Sequence, residues 1–567
     1  MNSLFLAVLA FVGYIIAYNT YGKWIAHKIV KLDDKNPVPS KQFYDGVDYV
    51  PTKRHILLGH HFTTIAGTGP IVGPAIGVIW GWVPAFLWVF LGSIFMGAVH
   101  DFMALVISAR YQGKTIGELT RGLVSDRVAV IFLILIQFLL WVVLAVFAMI
   151  VGLLFVMYPQ SVFPVWMEIP IAIWLSYMIY SRKKQRSDVL FSIIAVILMY
   201  FTIWIGLYIP IEMPAIFGTS LITWIVILLV YVYFASTLPV HRLLQPRDYI
   251  NSHELLIAMG LLVIGVIVAH PPIVAPAFYH VSDAPPLFPI LFITIACGAI
   301  SGFHSLAASG TTVKQLEKET DAHTIGYGGM ILEGALATLV IVAVTAGLGM
   351  KGGAAAFTQH YASWATASGL SAKLKAVIDG SANLMNSFGV PVNLARSIMA
   401  VFIVSFAGTT MDSSTRIQRF ALQELFKDRE GKTWIPLRSR YVATLIVVLL
   451  AFALCMVKPD GKGALVLWPV FGALNQLLAG LALLIATVYL AKIKKPIWVA
   501  AIPMAFMLVI TITASFMNLS KFINQKNGLL IFVTAATLAM AVWMIIEGVI
   551  VLIKRYGGKS AEEVEEV

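Results

Sequence analysis

Two adjacent histidines, His60 and His61, precede the breaker cluster Gly67-Thr68-Gly69-Pro70 in a stretch long enough to cross a membrane. Lipid offers the backbone no hydrogen-bond partners, so a spanning helix interrupted there needs protein or a watery cavity to satisfy the freed groups. Interrupted helices of this kind build the substrate and ion sites of many secondary transporters. Amide N–H groups at the start of the second half-helix, with its dipole, favour a carboxylate at mid-membrane. Gly67, Thr68, Gly69, Pro70 and Ile71 are therefore candidate substrate residues; the plainer alternative is a glycine hinge packed on a neighbour. On a helix the two histidines point about 100° apart, so at most one faces a given partner squarely. Imidazole titrates near neutral pH, which makes His61 a candidate proton relay against the alternative of a satisfied core histidine.

Further polar groups sit in apolar surroundings, where ionisable side chains usually mark an ion or substrate path. The run Phe303-His304-Ser305-Leu306-Ala307-Ala308-Ser309-Gly310 loosely repeats Phe62 to Gly69 and adds Phe303, His304 and Ser305 as candidate substrate contacts. Asp101, next to His100, is either a proton carrier or a helix-end carboxylate close to water. Glu333 lies deep in its span, where an unpartnered carboxyl keeps its proton, the property a proton carrier needs. Ser405, Thr409 and Ser413 recur about one turn apart and end beside Asp412, with Thr410 adjacent. That hydroxyl stripe suits a small cation or a proton relay; its alternative is a small-residue helix interface. Arg416 and Arg419 read as headgroup anchors. Trp468-Pro469 through Asn475-Gln476 adds another breaker with amides, bordering the same cavity.

The elements that must position these groups follow from composition. Of 567 residues 59% are hydrophobic and only 12% charged, too few charges to cover a soluble surface of this size. The expected class is an all-α polytopic membrane protein. Hydropathy and breakers place about fifteen spans, at 4–25, 55–81, 83–108, 128–157, 169–180, 189–209, 221–238, 254–270, 287–312, 325–349, 391–412, 441–457, 464–490, 497–518 and 528–553. The first reads as a retained span, lacking a preceding basic residue and a small-residue cleavage site. Alternating the spans from an external N-terminus puts about 32 of the 40 Lys and Arg on one side, as the positive-inside rule expects. The C-terminal tail is then cytoplasmic. That bias accounts for the formal charge of +12, so nucleic acid is not an expected partner; the bilayer is. Cys297 and Cys455 both lie in apolar segments and offer neither a disulfide framework nor a thiolate metal site. Segment 352–389 reads as surface-lying or re-entrant, and 31–53 as a cytoplasmic linker.

The two matched runs fall on spans of opposite direction, as an inverted repeat requires. Depth counting puts the second break near Gly298–Gly302, ahead of the matched residues. No phosphate loop, nucleophile motif or spaced Cys/His metal signature is present, so neither ATP-driven transport nor enzyme chemistry is expected.

Several motifs resemble the carbon starvation protein A family. They are Gly59-His60-His61-Phe62 with Ile65-Ala66-Gly67, Gly69-Pro70 and Gly73-Pro74; Cys297-Gly298-Ala299-Ile300-Ser301-Gly302-Phe303-His304-Ser305 through Thr312; Trp468-Pro469 to Asn475-Gln476; and Gly97-Ala98-Val99-His100-Asp101-Phe102. The last carries His100 where glutamine is more usual in the family. The resemblance implies membership of the amino acid–polyamine–organocation superfamily and a leucine-transporter-like five-plus-five inverted repeat with discontinuous and extra helices. It divides the chain into 1–54, an extra helix and linker; 55–220, the first repeat; 221–286, two additional helices; 287–490, the second repeat; and 491–567, two final helices and a tail. Sodium-coupled relatives on this fold take hydroxyl ligands from the eighth core helix, which points to Ser405, Thr409 and Thr410. Family members are linked to peptide uptake under carbon limitation and to proton-coupled pyruvate uptake.

The expected function is a secondary active importer in the plasma (inner) membrane, carrying a small peptide or pyruvate-like carboxylate. Gly67 to Ile71 and Phe303 to Ser305 hold the substrate. Ser405, Thr409, Thr410 and Asp412 serve the coupling ion, proton or sodium, and His61, Asp101 or Glu333 carries the proton. No resident cofactor is expected. The rival class is a membrane-embedded redox or sensor protein binding metal or haem through His60, His61, His100 and His304.

Overall fold

A computed structural model describes residues 1–180, 188–427 and 433–556. Within them the chain is almost wholly helical, with isolated bridges in place of strands. Twelve helices are long and apolar enough to cross a membrane, and Arg54–Ala66 with Gly69–Trp80 forms a further span bent by 45°. The half-helices Leu287–Thr294 and Gly302–Gly310 and the shorter Arg440–Cys455 complete the fifteen expected positions. The tail at 562–566 lies outside the described residues.

Several helices outrun their expected ends. Leu244–Ala269 starts at Leu244 rather than 254, Val162–Tyr180 starts before 169, and Val392–Leu425 runs well past Asp412. The turns added at Leu244 and beyond Asp412 are polar, and a helix continues through polar residues when tertiary partners satisfy them; those added before 169 are apolar up to Glu168.

The two interrupted spans lie side by side. Thr52 N–H donates to the Gln315 carbonyl at 3.0 Å, and His61 Nδ1 lies 2.9 Å from Thr312 Oγ1. Midway, a Cβ on Gly69 would fall on the Cys297 side chain; further along, one on Gly73 would sit 2.8 Å from the Thr294 carbonyl oxygen. At the far end Trp80 Nε1 donates to the Pro285 carbonyl at 2.9 Å. Numbers rise along one partner as they fall along the other, so the spans run antiparallel, the geometry an inverted repeat requires. Close backbone approach explains why Gly69 and Gly73 are glycines.

Gly67 has φ +42° and ψ −139°, a conformation that favours glycine, and it ends the first half-helix. The second span breaks between Thr294 and Gly302, ahead of the matched run as depth counting expects. The loose repeat itself is not register-true. Phe62 to Ala66 precede the first break, whereas Phe303 to Gly310 follow the second. Runs of small residues match by chance, and symmetry resides in the breaks.

Segment 352–389 forms Gly353–His360, Trp364–Ala367 and Leu370–Asn386. The last buries Leu374, Val377, Ile378 and Leu384 on the bundle, and Gly347 and Gly380 meet backbone to backbone. It lies against the bundle, as its amphipathic pattern expects. The 31–53 segment is a strap rather than a loose linker. It crosses the basic face through Asp33 N–H to Glu319 at 2.8 Å, Ser40 Oγ to the Leu316 carbonyl at 2.5 Å, and Val50 N–H to the Lys314 carbonyl at 3.1 Å. Arg416 and Arg419 are not headgroup anchors. Both are buried, at 2% and 1% exposure, and both pair with Asp48 of the strap.

Candidate functional site

The first break is built from backbone. Residues 67 and 68 leave the helix, and Gly69 restarts it. Pro70 has no N–H, and the Ile71 and Val72 N–H groups turn back onto the Thr68 carbonyl at 3.2 and 2.9 Å. The Gly69 N–H is the donor this end still offers, so the row of bare amides expected from Gly69 onward contracts to one. A Cβ on Gly67 would meet Thr410 Oγ1 at 2.8 Å, and Thr410 Oγ1 donates to the Thr64 carbonyl at 3.1 Å. Thr64 Oγ1 in turn lies 3.1 Å from Ser413 Oγ. The hydroxyl stripe therefore borders the first break.

The second break carries the charge. His304 Nδ1 stands 3.0 Å from Asp101 Oδ2, and His100 Nδ1 stands 2.7 Å from Asp101 Oδ1. On its other side His304 Nε2 lies 3.3 Å from Glu333 Oε2, close enough for an ion pair but outside hydrogen-bond geometry. Glu333 Oε1 accepts the Gly298 N–H at 3.1 Å, inside the break itself. All three side chains are fully buried. Asn475 caps the following half-helix: its Oδ1 accepts the Phe303 N–H at 3.0 Å, and its Nδ2 donates to Ser301 Oγ at 3.0 Å. Ser305 Oγ donates to the Gly302 carbonyl.

Helices that carry these groups are locally irregular. The π-turn Ser93–Gly97 directly precedes Ala98–Arg110, which holds Asp101, and the π-turns His323–Tyr327 and Ala343–Gly347 bracket the helix of Glu333. Such bulges re-aim side chains and recur at functional sites.

Asp101, His304 and Glu333, separate in sequence, are thus brought into one cluster. His61 is not part of it; its Nδ1 faces Thr312, and a Cβ on Gly329 would meet its ring. His60 pairs with Asp248 and touches Gln315. The four histidines do not share a metal-ligating group among the described residues. Cys297, His304 and Glu333 do place one ligand atom each within 4.8 Å of one another.

A second ionic network is absent from the sequence reading. Arg247 Nε meets Glu168 Oε2 at 3.0 Å and one of its terminal nitrogens meets Asp412 Oδ2 at 2.7 Å, joining three helices. Tyr231 O–H also donates to Asp412 Oδ2, at 2.9 Å. Ser405 donates to Glu168, and Asn251 Nδ2 donates to Thr409 Oγ1 at 3.1 Å. Ser405, Thr409 and Asp412 bond within this network rather than to the His304 cluster. On the strap, burial acts to raise the Asp48 carboxyl, but Arg416, Arg419 and Lys314 outweigh it and hold it at about 2.

The carbon starvation protein CstA family model matches residues 2–514. This chain belongs to that family. Among its curated relatives, the peptide transporter CstA of Mycobacterium tuberculosis (strain ATCC 25618 / H37Rv) is 34% identical over 92% of this chain and 76% of its own length. The pyruvate/proton symporter BtsT of Escherichia coli (strain K12) is 33% identical over 93% of this chain and 83% of its own. Among solved structures, MhsT in complex with L-phenylalanine aligns over 88% of this chain and 99% of its own, with 11% identity and a TM-score of 0.49. The family match agrees with the resemblance carried by the histidine, breaker and Trp-Pro motifs, all of which lie inside the matched range.

Proposed function

We propose that this member of the CstA family is a secondary active importer of a small carboxylate-bearing nutrient, a short peptide or a pyruvate-like acid, coupled to protons. The observation that carries the reading is the Asp101–His304–Glu333 cluster seated in one helix break and touching the other through Cys297 and Gly69. With His304 charged the cluster holds net charge −1, which repels a substrate carboxylate at the Gly69 end. One added proton makes it neutral. Substrate then binds beside Gly67 to Ile71 and Phe303 to Ser305, and leaves with the proton when the site faces the other side. No covalent step is involved. The names of the relatives, a peptide transporter and a pyruvate/proton symporter, support the substrate class and the ion.

Sodium is the less favoured ion because Ser405, Thr409 and Thr410 each already have a protein partner. In this reading they fix helix register and Asp412 anchors Arg247, while His61 positions the break through Thr312. The basic face is cytoplasmic and the N-terminus external, by the distribution of Lys and Arg. For the repeat, packing favours an assignment other than the sequence division. Leu244–Ala269 packs on the first broken span as Trp468–Lys492 packs on the second, and Ser220–Thr237 packs on Arg440–Cys455. The inserted pair is then Val162–Tyr180 with Asp188–Gly206, and the first repeat closes at Ala269.

The test is uptake of labelled pyruvate and labelled dialanine into proteoliposomes, with and without an inward proton gradient. The reading expects gradient-driven accumulation of one of them and weak competition by the amide of that substrate. Equal uptake with the gradient collapsed, or full competition by the amide, contradicts it.

A further inference from the structure

The network around Arg247 holds more negative charge than its cations balance. Four carboxyls, Glu168, Asp248, Glu254 and Asp412, are each at most 1% exposed. They face one guanidinium, Arg247, and one imidazole, His60, itself paired with Asp248. Even with His60 charged, two positive groups meet four negative ones. An isolated carboxylate in such surroundings is so unfavourable that it takes up a proton instead. Three of the four have polar partners. Glu168 accepts from Arg247 and Ser405, Asp412 accepts from Arg247 and Tyr231, and Asp248 accepts from His60. Glu254 has no partner on either oxygen among the described residues. The charges that act on it are those of Glu168, on Val162–Tyr180, and Arg247, on its own helix. The neighbouring Tyr200 hydroxyl is turned to the Glu254 backbone carbonyl at 3.4 Å.

We propose that Glu254 is a second proton-binding site, distinct from the His304 cluster, and that each import cycle carries two protons. This rests on the proton-coupled reading above. Arg247 and Glu254 are seven residues apart, two turns along one helix face. When Val162–Tyr180 and Val392–Leu425 shift relative to Leu244–Ala269, Arg247 leaves Glu168 and Asp412 and turns to Glu254. The Glu254 O–H then breaks, its carboxylate takes the guanidinium, and the proton passes to water. Glu168 stays ionised on the Ser405 hydroxyl while Arg247 is away, so the proton Glu254 took up on the outer side is the net proton released on the inner side, and Glu254 reloads as the network resets. Arg247 keeps its own charge throughout, so the swap moves protons without titrating the arginine.

Two measurements on the full chain test this. Each proton carried down one pH unit is worth about tenfold in substrate accumulation. At zero membrane potential and a gradient of one pH unit, the wild type is expected to hold about 100-fold accumulation of whichever of labelled pyruvate and labelled dialanine it carries. Glu254→Gln is expected to hold about tenfold, and Glu254→Asp, which restores a titrating group, returns to about 100-fold. A wild type limited to about tenfold, or a Glu254→Gln variant still at about 100-fold, overturns the proposal. The infrared spectrum of the protein in membranes decides independently of transport. The protonated-carboxyl carbonyl band at neutral pH is expected to shrink in Glu254→Gln, and an unchanged band overturns the assignment even if uptake is never observed. Failure of the wild type to accumulate either substrate, with the band nonetheless lost in the variant, counts against the import reading and not against proton binding at Glu254.

Discussion

At the second break the His304 imidazole lies between two carboxyls, and in the other network the Arg247 guanidinium pairs with two carboxyls, with both cations buried. The difference lies in what the cation can do. Imidazole gains and loses a proton near neutral pH, so the His304 cluster can change charge where substrate binds. Guanidinium stays charged and offers five donors in a fixed fork, so Arg247 can only change partners. The first cluster is built to switch and the second to hold helices together until its partners are exchanged. Their settings agree. His304 sits on a nine-residue half-helix beside a break, whereas Arg247 clamps three helices of full length.

The sharpest way to break the comparison is to remove the clamp. Arg247→Met leaves Glu168 and Asp412 buried without their cation, and loss of one partner of a buried ion pair costs about 3–5 kcal/mol. Thermal unfolding of the purified protein in detergent is expected to show the large destabilisation, with Arg247→Lys only partly restoring it, since one ammonium cannot reproduce the fork. A variant as stable as the wild type would show that the network is not a clamp.

Glu168 and Arg247 mark where sequence reading stopped. The expected spans start at 169, after Glu168 interrupts the apolar run Val162 to Met167, and at 254, past Arg247, Asp248 and Asn251. Each residue alone reads as a loop charge, and only the pairing across helices explains its burial. Arg416 and Arg419 are misread for the same reason: their helix runs on to Leu425 and their partner Asp48 lies on the strap. The breaks, by contrast, are legible, because Gly67-Thr68-Gly69-Pro70 and Gly298 to Gly302 carry the backbone requirement in their own residue types. Asp101, His304 and Glu333 are legible one by one as buried ionisable groups, but their convergence is not.

A smaller effect comes from the ionic site outside the spans, which serves as a control on the two inside. Asp48 is held at about 2, below the ordinary carboxylate range, so its contribution is fully present above the unfolded value near 4 and is lost as pH falls toward 2. That depression corresponds to about 2 kcal/mol. Asp48→Asn is expected to lower stability by about that amount at pH 7 and to narrow the difference from the wild type between about pH 4 and 2. Unfolding midpoints measured across that window check both. A constant difference at all pH values would mean that the strap is held by its backbone bonds alone.

The most direct test of the central claim replaces the switching cation and keeps the clamp. His304→Gln retains the side chain's polar reach near Asp101 but cannot carry a proton. In proteoliposomes with an inward proton gradient, the account predicts that the wild type concentrates its substrate whereas His304→Gln, still folded, only equilibrates it and exchanges it across the membrane. If His304→Gln accumulates substrate against its gradient as the wild type does, proton coupling does not reside at the second break and the account fails.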